Sequence, residues 1–389
     1  MKNFLQVSIL IIWLAISLIE NIFPHVVDKK TFFWRPWEYV VNDDSLNVGT
    51  IPLKPMQNVV FNTTYDWTRS IYFMPSKEEQ FKQEFITDEY GFRNLPNADL
   101  TDLDIVILGT SQVAGASETQ DNIVSSILKK QYKINAYTYA KSVLQQFWQD
   151  ERFVRNPPKN VLILGTYEEL IEKTNLTSLV NSSELLTFKP WSVADWRIID
   201  SKDRLLHTDY SLIKNYVKRF SAVRLAGFQL YRNLLNIVLD RVQLADIFGK
   251  GGYIYDPKNG YLFTTQSQIP ATDSGLQLTR EKTDALINRL DTVDKLLKTR
   301  GINLIVGVMP SKALLHSEHY GTNIVEIQAI NLLDKKIDEM GIERIHLFEV
   351  VYPKRRDGQY YYLLDSHWNS RTNHIISRLI SEKITPLAD

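Results

Sequence analysis

The chain of 389 residues contains no cysteine. This absence excludes a thiolate nucleophile, cysteine-ligated zinc and iron–sulfur clusters, and it is compatible with either an exported or a cytosolic protein. An excess of basic charge is also missing, because 45 Lys and Arg balance 45 Asp and Glu. Nucleic-acid binding relies on clustered cationic side chains, so we expect no nucleic-acid partner. Any chemistry must therefore use Ser, His, carboxylates, Tyr or Lys.

Patterns for metals and phosphates are also lacking, and we expect neither a metal nor a cofactor. His316, Glu318 and His319 stand too close together for convincing metal geometry. The glycine cluster at residues 249–252 does not follow a predicted strand, unlike a phosphate-binding loop. The chain is nevertheless long enough for one large α/β domain with insertions and a sizeable core.

The apolar stretch near the N-terminus is short. Its uninterrupted part covers residues 7–19, about 20 Å as a helix, against a hydrocarbon layer of roughly 30 Å. No convincing cleavage site follows it. We interpret residues 1–25 as an uncleaved signal anchor, with a single pass through the cell membrane and the folded part outside the cytoplasm. A buried core helix over residues 4–23 is the alternative.

Short runs rich in Ile and Val predict buried parallel strands, and helical patterns alternate with them. This alternation predicts an α/β fold with a mostly parallel sheet, whose ligand site lies at the carboxyl ends of the strands. The predicted strands are residues 104–108, 161–164, 302–308 and 342–347, and residues 122–130 are a predicted helix. We expect an irregular lead-in at 26–100, a catalytic domain at 101–171 and 279–389, and a mainly helical insertion at 172–278. The insertion contains a predicted long helix at 209–248 and a hairpin at 253–263.

Two fragments combine residue types suited to catalysis. In the first, a hydrophobic strand delivers Ser111 into a tight turn before a helix, where backbone N–H groups stabilise negative charge. A helix N-cap is the alternative for such a Ser. In the second, Asp365 and His367 precede the last helix, and a carboxylate so placed orients an imidazole. A surface His beside an Asp is the alternative there. Together the fragments provide a nucleophile, a base and an orienting acid.

On these motifs the chain resembles the SGNH (GDSL-like) hydrolase superfamily, and within it the branch related to the alginate O-acetyltransferases that acetylate exopolysaccharides. The similar segments are the nucleophile block at 109–111, the Asp-x-His-Trp block at 365–369, a GFRN lead-in at 87–94 and a strand-Pro-x-Lys segment at 308–312. The resemblance covers roughly residues 85–170 and 280–380.

The resemblance implies a three-layer α/β/α fold and a Ser111–His367–Asp365 triad that acts on acyl esters of extracytoplasmic carbohydrate. Where the family has a glycine N–H at the oxyanion, this chain offers the backbone N–H of Lys141 or Ser142. In place of the family's Asn stands Tyr167, whose hydroxyl can also donate.

Five further side chains are candidates with competing structural explanations. Arg93 and Lys312 suit substrate binding or structural ion pairs, and Trp368 suits packing better than substrate stacking. Glu169 and the preceding Glu suit an acid pair, but a solvated helix start is the favoured interpretation.

Three functions remain open from the sequence. The first is an O-acyltransferase that acetylates a cell-surface or exopolysaccharide through an acyl-Ser111 intermediate, alongside a membrane-embedded acyl-exporting partner. The second is a carbohydrate esterase that uses the same residues with water as acceptor. The third is a non-catalytic SGNH-like module that binds polysaccharide or scaffolds a synthase, because the expected Gly and Asn are replaced.

Overall fold

The computed structural model describes residues 58–64, 80–140, 144–167, 169–170, 253–256, 261–264, 280–315, 324–362 and 367–384. The predicted signal anchor, the long helix at 209–248 and the site residues Ser142 and Asp365 lie outside these ranges. No helix within the described ranges combines the length and apolar character needed to cross a membrane.

The lead-in contains regular structure that the sequence did not predict. Strands β1 (Asn58–Thr64) and β2 (Gln80–Ile86) pair in antiparallel register, with Asn58 opposite Ile86. Within β2, Gln83 and Phe85 are buried while the residues between and after them are half-buried. This period of two is typical of a strand with one face packed against the protein. Residues 58–64 and 80–86 are therefore strands rather than irregular structure.

Five parallel strands form the central sheet, in the order β4-β3-β5-β8-β9. They are β3 (Ile105–Gly109), β4 (Ala136–Ala140), β5 (Asn160–Thr166), β8 (Asn303–Met309) and β9 (Glu343–Ile345). Between them in sequence, β6 (Tyr253–Asp256) and β7 (Tyr261–Thr264) form a separate antiparallel pair where the hairpin was predicted. The predicted mostly parallel sheet is confirmed.

The strand order changes direction between β3 and β5. The chain moves from β3 outward to β4, then returns past β3 to β5 and continues to β8 and β9 on the other side. In such a sheet the connections after β3 and β5 leave in opposite directions, which opens a crevice at their carboxyl ends. Gly109 at the end of β3 pairs with Leu164 of β5, so the segments after these strands start side by side.

Helices cover both faces of this sheet. They are α1 (Val124–Ile127), α2 (Leu144–Gln149), α3 (Glu151–Arg155), α4 (Arg280–Lys298), α5 (Lys312–Leu315), α6 (Ile324–Glu339), α7 (Leu347–Val351) and α8 (Ser370–Ile384). A 3-10 turn at Gln120–Asn122 precedes α1, and a π-helical turn at Leu128–Tyr132 follows it. The predicted helix at 122–130 thus consists of three short consecutive turns.

The core divides into two clusters, one on each face of the sheet. Val106 and Leu108 pack with the apolar stripes of α4 and α6, whereas Ile105 and Ile107 pack with α1, α7 and α8. Successive side chains of a strand point to opposite faces, so this alternation requires a helical layer on each side. The described part of the chain is therefore an α/β domain with helices on both faces of a parallel sheet.

Candidate active site

Ser111 lies in a tightly folded turn at the carboxyl end of β3. The turn closes on itself through backbone bonds, in which the N–H groups of Ala114 and Ala116 donate to the carbonyls of Thr110 and Ser111 at 3.1 and 3.0 Å. Ser111 itself is half-buried. The turn thus presents a Ser with some solvent access at the crevice between β3 and β5.

Two glycines allow this turn to form. A Cβ atom on Gly109 would stand 2.3 Å from Val113 Cγ2 and 2.6 Å from the Leu164 carbonyl oxygen. Gly115 has a φ of +63°, a region that side chains disfavour, and a Cβ there would stand 2.5 Å from Ile123. The turn therefore folds back onto the sheet only because side chains are absent at these two positions.

Arg93 supports the turn from behind and is fully enclosed by protein. Its Nη1 donates to the carbonyls of Ala114, at 2.7 Å, and Gly115, while its Nη2 donates to those of Glu84 and Glu118, both at 2.6 Å. Burial lowers the pKa of Arg93 to about 9, against the opposing effect of the Glu118 charge. These contacts give Arg93 a structural role, since both guanidinium ends are committed to backbone carbonyls.

His367 is held just before α8 by a short antiparallel contact. Trp368 pairs with Tyr361, and the N–H of Tyr362 donates to the His367 carbonyl at 3.1 Å. Asn369 then caps α8, because its Oδ1 accepts from the N–H of Thr372 at 3.2 Å. The Asp-x-His-Trp-Asn block therefore contains both the imidazole and the cap that fixes its place in the fold.

The structure brings Ser111 and His367 together. His367 Nε2 lies 3.0 Å from Ser111 Oγ, and His367 Nδ1 lies 3.4 Å from the hydroxyl of Ser117. A His that accepts the Ser111 proton needs a bare Nε2, which places its own proton on Nδ1, facing Ser117. Asp365 lies outside the described residues, so its role as the orienting acid stays a prediction.

Three other predicted site residues are buried within the fold. The Tyr167 hydroxyl bonds to Thr283 of α4, in the core cluster on the opposite face of the sheet from Trp368, and burial raises the Tyr167 pKa. Trp368 is 1% exposed and packs in its cluster, and its Nε1 has no hydrogen-bond partner among the described residues. Lys312 is fully buried at the start of α5. The Tyr167 hydroxyl is thus bonded to α4. Trp368 packs in the core, which is the interpretation that the sequence favoured over substrate stacking.

Glu169 does more than start a helix, which was the interpretation that the sequence favoured. Its Oε2 accepts from the N–H of Thr166 at 2.9 Å, and its own N–H faces Thr166 Oγ1 at 3.4 Å. This reciprocal pair is a capping box, which the Thr-x-x-Glu spacing could have indicated. Its Oε1, however, accepts from Thr110 Oγ1 at 2.7 Å, beside Ser111. The carboxyl group is enclosed by protein although the residue keeps partial exposure, and this burial raises its pKa.

Glu118 links the Ser111 turn to the segment before His367. It is buried, and its Oε1 accepts from the hydroxyl of Tyr362 at 2.7 Å. Burial raises the pKa of Glu118 to about 7, and the hydrogen bond from Tyr362 and the charge of Arg93 act in the opposite direction. No local sequence pattern identified Glu118 or Ser117, because both act through a partner more than 200 positions away.

Within the described ranges no three His, Asp or Glu side chains are grouped so that they could hold a metal ion. The three closely spaced residues at 316–319, which the sequence analysis considered as metal ligands, lie outside those ranges. The described site therefore consists of hydroxyls, one imidazole and carboxylates.

Comparison with known families gives a match in the C-terminal part of the chain. No curated protein matches the chain. The model of the SGNH hydrolase-like domain of acetyltransferase AlgX matches residues 255–387, about a third of the chain. The matched segment includes His367 and Trp368 and leaves out Ser111. It confirms the predicted resemblance: the chain is similar to the alginate O-acetyltransferase branch of the SGNH superfamily.

Proposed function

We propose that the chain is an O-acyltransferase that moves an acetyl group, through an ester on Ser111, to a hydroxyl of an extracytoplasmic polysaccharide. One observation carries this proposal: Ser111 Oγ and His367 Nε2 lie 3.0 Å apart although 256 positions separate them in sequence. A nucleophile and its base need such a distance. The similarity of residues 255–387 to an acetyltransferase domain supports acetyl as the transferred group.

In the first half of the reaction, Ser111 Oγ attacks the carbonyl carbon of the acetyl donor while its proton passes to His367 Nε2. The tetrahedral intermediate then collapses, and the leaving group takes that proton from Nε2. The backbone N–H of Lys141 or Ser142 is the proposed oxyanion donor. This assignment is supported by the pairing of Ala140, the last residue of β4, with Gly109 of β3, because β4 then ends beside the start of the Ser111 turn.

In the second half, a sugar hydroxyl replaces the leaving group. His367 Nε2 takes the hydroxyl proton, the sugar oxygen attacks the acetyl carbon, and Ser111 leaves with the proton returned from His367. Each half transfers one acyl group and one proton, so the enzyme is unchanged after the cycle. Asp365 is proposed to orient the imidazole through Nδ1, next to the Ser117 hydroxyl.

The location and the partner are proposed from the N-terminal sequence. An uncleaved anchor at residues 1–25 would hold the domain at the outer face of the cell membrane. A donor made inside the cell must then cross that membrane, which calls for a membrane-embedded acyl exporter. The exported acetyl group would be captured by Ser111.

The test uses the full chain with an activated acetyl ester, with and without oligosaccharide acceptors. We expect the wild type to form an acetyl-Ser111 adduct visible by intact mass and to produce acetylated oligosaccharide. Ser111→Ala and His367→Asn should lower turnover about a thousandfold or more. Ser311→Ala, a serine at the end of β8, is the matched control.

Two outcomes would change the conclusion. Turnover that Ser111→Ala leaves unchanged would remove both enzymatic functions. Ser111-dependent release of free acetate that no acceptor diverts would instead identify a carbohydrate esterase.

A further inference from the structure

Glu169 makes more contacts than a helix cap requires. Its Oε2 completes the capping box with Thr166, which accounts for one carboxylate oxygen. The other oxygen, Oε1, accepts from Thr110 Oγ1 at 2.7 Å and lies 3.5 Å from Gln112 Nε2. Thr110 and Gln112 flank Ser111 in sequence, so the second oxygen serves the nucleophile turn.

A short relay connects this carboxylate to both sides of Ser111. Thr110 Oγ1 donates to Glu169 and accepts from the backbone N–H of Gln112 at 3.3 Å. Since one hydroxyl thus fixes the residue before Ser111 and the residue after it, the position of Ser111 Oγ depends on Glu169. β5 and β3 are adjacent strands, so this contact crosses the crevice where the site lies.

Glu169 also interacts electrostatically with His367. A protonated His367 lowers the pKa of Glu169, against the larger effect of burial, which raises it. The interaction is mutual: the Glu169 negative charge favours the imidazolium form of His367. Glu169 bonds to Thr110, Gln112 and Thr166, and His367 bonds to Ser111 and Ser117. Asp365 is the predicted carboxylate at the imidazole.

We propose that Glu169 is a positioning residue of the acyl transfer, which holds the Ser111 turn through Thr110 and stabilises the imidazolium that His367 becomes on taking the Ser111 proton. The proposal rests on the function proposed above. It assigns to the end of β5 a carboxylate that acts through neighbouring residues rather than on the substrate.

Glu326 of α6 provides a matched control, because it binds a serine that follows another strand of the same sheet. Its carboxylate accepts from the hydroxyl of Ser311 at 2.7 Å and from the Ser311 N–H at 3.0 Å. Glu169 likewise accepts from one hydroxyl and one backbone N–H, and in addition from Gln112 Nε2 at 3.5 Å. Glu326 binds Ser311 just after β8, so replacing either Glu by Gln changes one bond from a hydroxyl and one from a backbone N–H.

The experiment measures the pH profile of kcat/KM for the activated acetyl ester, from about pH 5 to pH 9. Glu169→Gln should lower kcat/KM about tenfold and move the midpoint of the acid limb to lower pH by about half a unit. The midpoint moves to lower pH because a neutral Gln no longer stabilises the imidazolium, so His367 loses its proton at lower pH. Glu326→Gln should leave the midpoint in place.

Two further variants separate the effect of positioning the Ser111 turn from the effect of the Glu169 charge. Thr110→Val breaks the relay and keeps the charge, so kcat should fall several-fold with the midpoint unchanged, whereas Thr110→Ser should restore the wild-type rate. Glu169→Asp keeps the charge and serves in place of Glu169→Gln if that variant does not fold; its midpoint should stay near that of the wild type.

A folded Glu169→Gln variant with the wild-type midpoint would overturn the proposal and leave Glu169 as a helix cap. An equal shift in Glu326→Gln would also overturn it. If Ser111→Ala keeps full turnover, the proposed function itself fails. If Ser111→Ala is inactive and Glu169→Gln resembles the wild type, only this inference fails.

Discussion

Ser111 and Ser311 occupy similar local positions with different surroundings. Each follows a parallel strand of the same sheet, but Ser111 enters a turn rather than a helix, whereas Ser311 directly precedes α5. Ser111 is half-buried and its hydroxyl lies 3.0 Å from His367 Nε2. Ser311 is 3% exposed, donates to Glu326 at 2.7 Å and accepts from the N–H of Leu314 at 3.1 Å. The second Ser is a helix cap, and the first faces a base.

The difference shows that the neighbour, rather than the serine, decides the chemistry. The Ser311 hydroxyl donates its one proton to a carboxylate and accepts from a helix N–H, and its burial leaves a substrate little access to it. The crevice between β3 and β5 leaves Ser111 partly exposed, whereas α5 and α6 enclose Ser311. The comparison predicts opposite effects of mutation at the two positions.

The largest expected effect separates activity from stability. Ser111→Ala should lower kcat about a thousandfold or more and leave the free energy of unfolding within about 0.5 kcal/mol of wild type. Ser311→Ala should keep kcat and lose about 1–2 kcal/mol of stability, because a cap and a buried hydrogen bond are removed. Steady-state kinetics and urea unfolding measure the two quantities. A loss of activity in both variants would break the comparison.

The next effect concerns the support of the Ser111 turn. Arg93→Lys should cost about 2–3 kcal/mol of stability, because one ammonium cannot reach the carbonyls on both sides that the guanidinium binds. It should also lower kcat by loosening the turn. Arg300, which donates to the single carbonyl of Trp148 at 2.8 Å, is the control. Urea unfolding should show a smaller loss for Arg300→Lys, and equal losses would contradict the special role of Arg93.

The smallest expected effect is on the pH dependence of stability near Ser111. The Glu118 pKa rises from its ordinary 4.5 to about 7 in the folded protein. The folded state therefore binds the proton more tightly, and the stability this group contributes is complete below about pH 4.5 and is lost as the pH rises through 7. Glu118→Gln removes this titration. From about pH 5 to pH 8 the variant should gain on the order of 2 kcal/mol relative to wild type by urea unfolding.

Parallel stability profiles of wild type and Glu118→Gln would contradict the expected burial of a charge beside the turn. Ser311 is the contrasting position: Ser311→Ala removes a helix cap and a buried hydrogen bond rather than a titrating group, so it should lower stability at both ends of this pH range. The two profiles together sharpen the distinction between the two strand ends.

The sequence predicted the strands with continuous Ile and Val runs, β3, β5 and β8, as well as the short β9 and the hairpin of β6 and β7. The edge strand β4 was not predicted, because residues 136–140 alternate Ala and Thr with Tyr and contain no apolar run. Tyr137 and Tyr139 are nevertheless buried, and they pack with Phe92 and Phe153. Strand formation there depends on tertiary packing of aromatic rings, which local periodicity does not reveal.

Within the site, motifs predicted the residues with distinctive types and left out those with ordinary ones. Ser111 and His367 were recognisable from a strand-turn and an Asp-x-His block. Ser117 and Glu118 were not, because a Ser-Glu pair in a turn has no distinguishing pattern. Glu169 carried a visible capping signal, but the same carboxylate also bonds to Thr110, 59 positions away. When a residue has one partner close in sequence and another far away, the local sequence pattern indicates only the close one.

The sequence by itself determined the alternation of strands and helices, the exclusion of thiol chemistry and the residue types available for catalysis, because these follow from composition and short-range periodicity. Only the tertiary structure decided that Ser111 rather than Ser311 meets an imidazole, that Arg93 supports a turn, and that Glu169 reaches the nucleophile turn. The physical reason is that these contacts depend on the packing of α8 and of adjacent strands. That packing brings together residues up to 256 positions apart, and local pattern holds no information about such pairs.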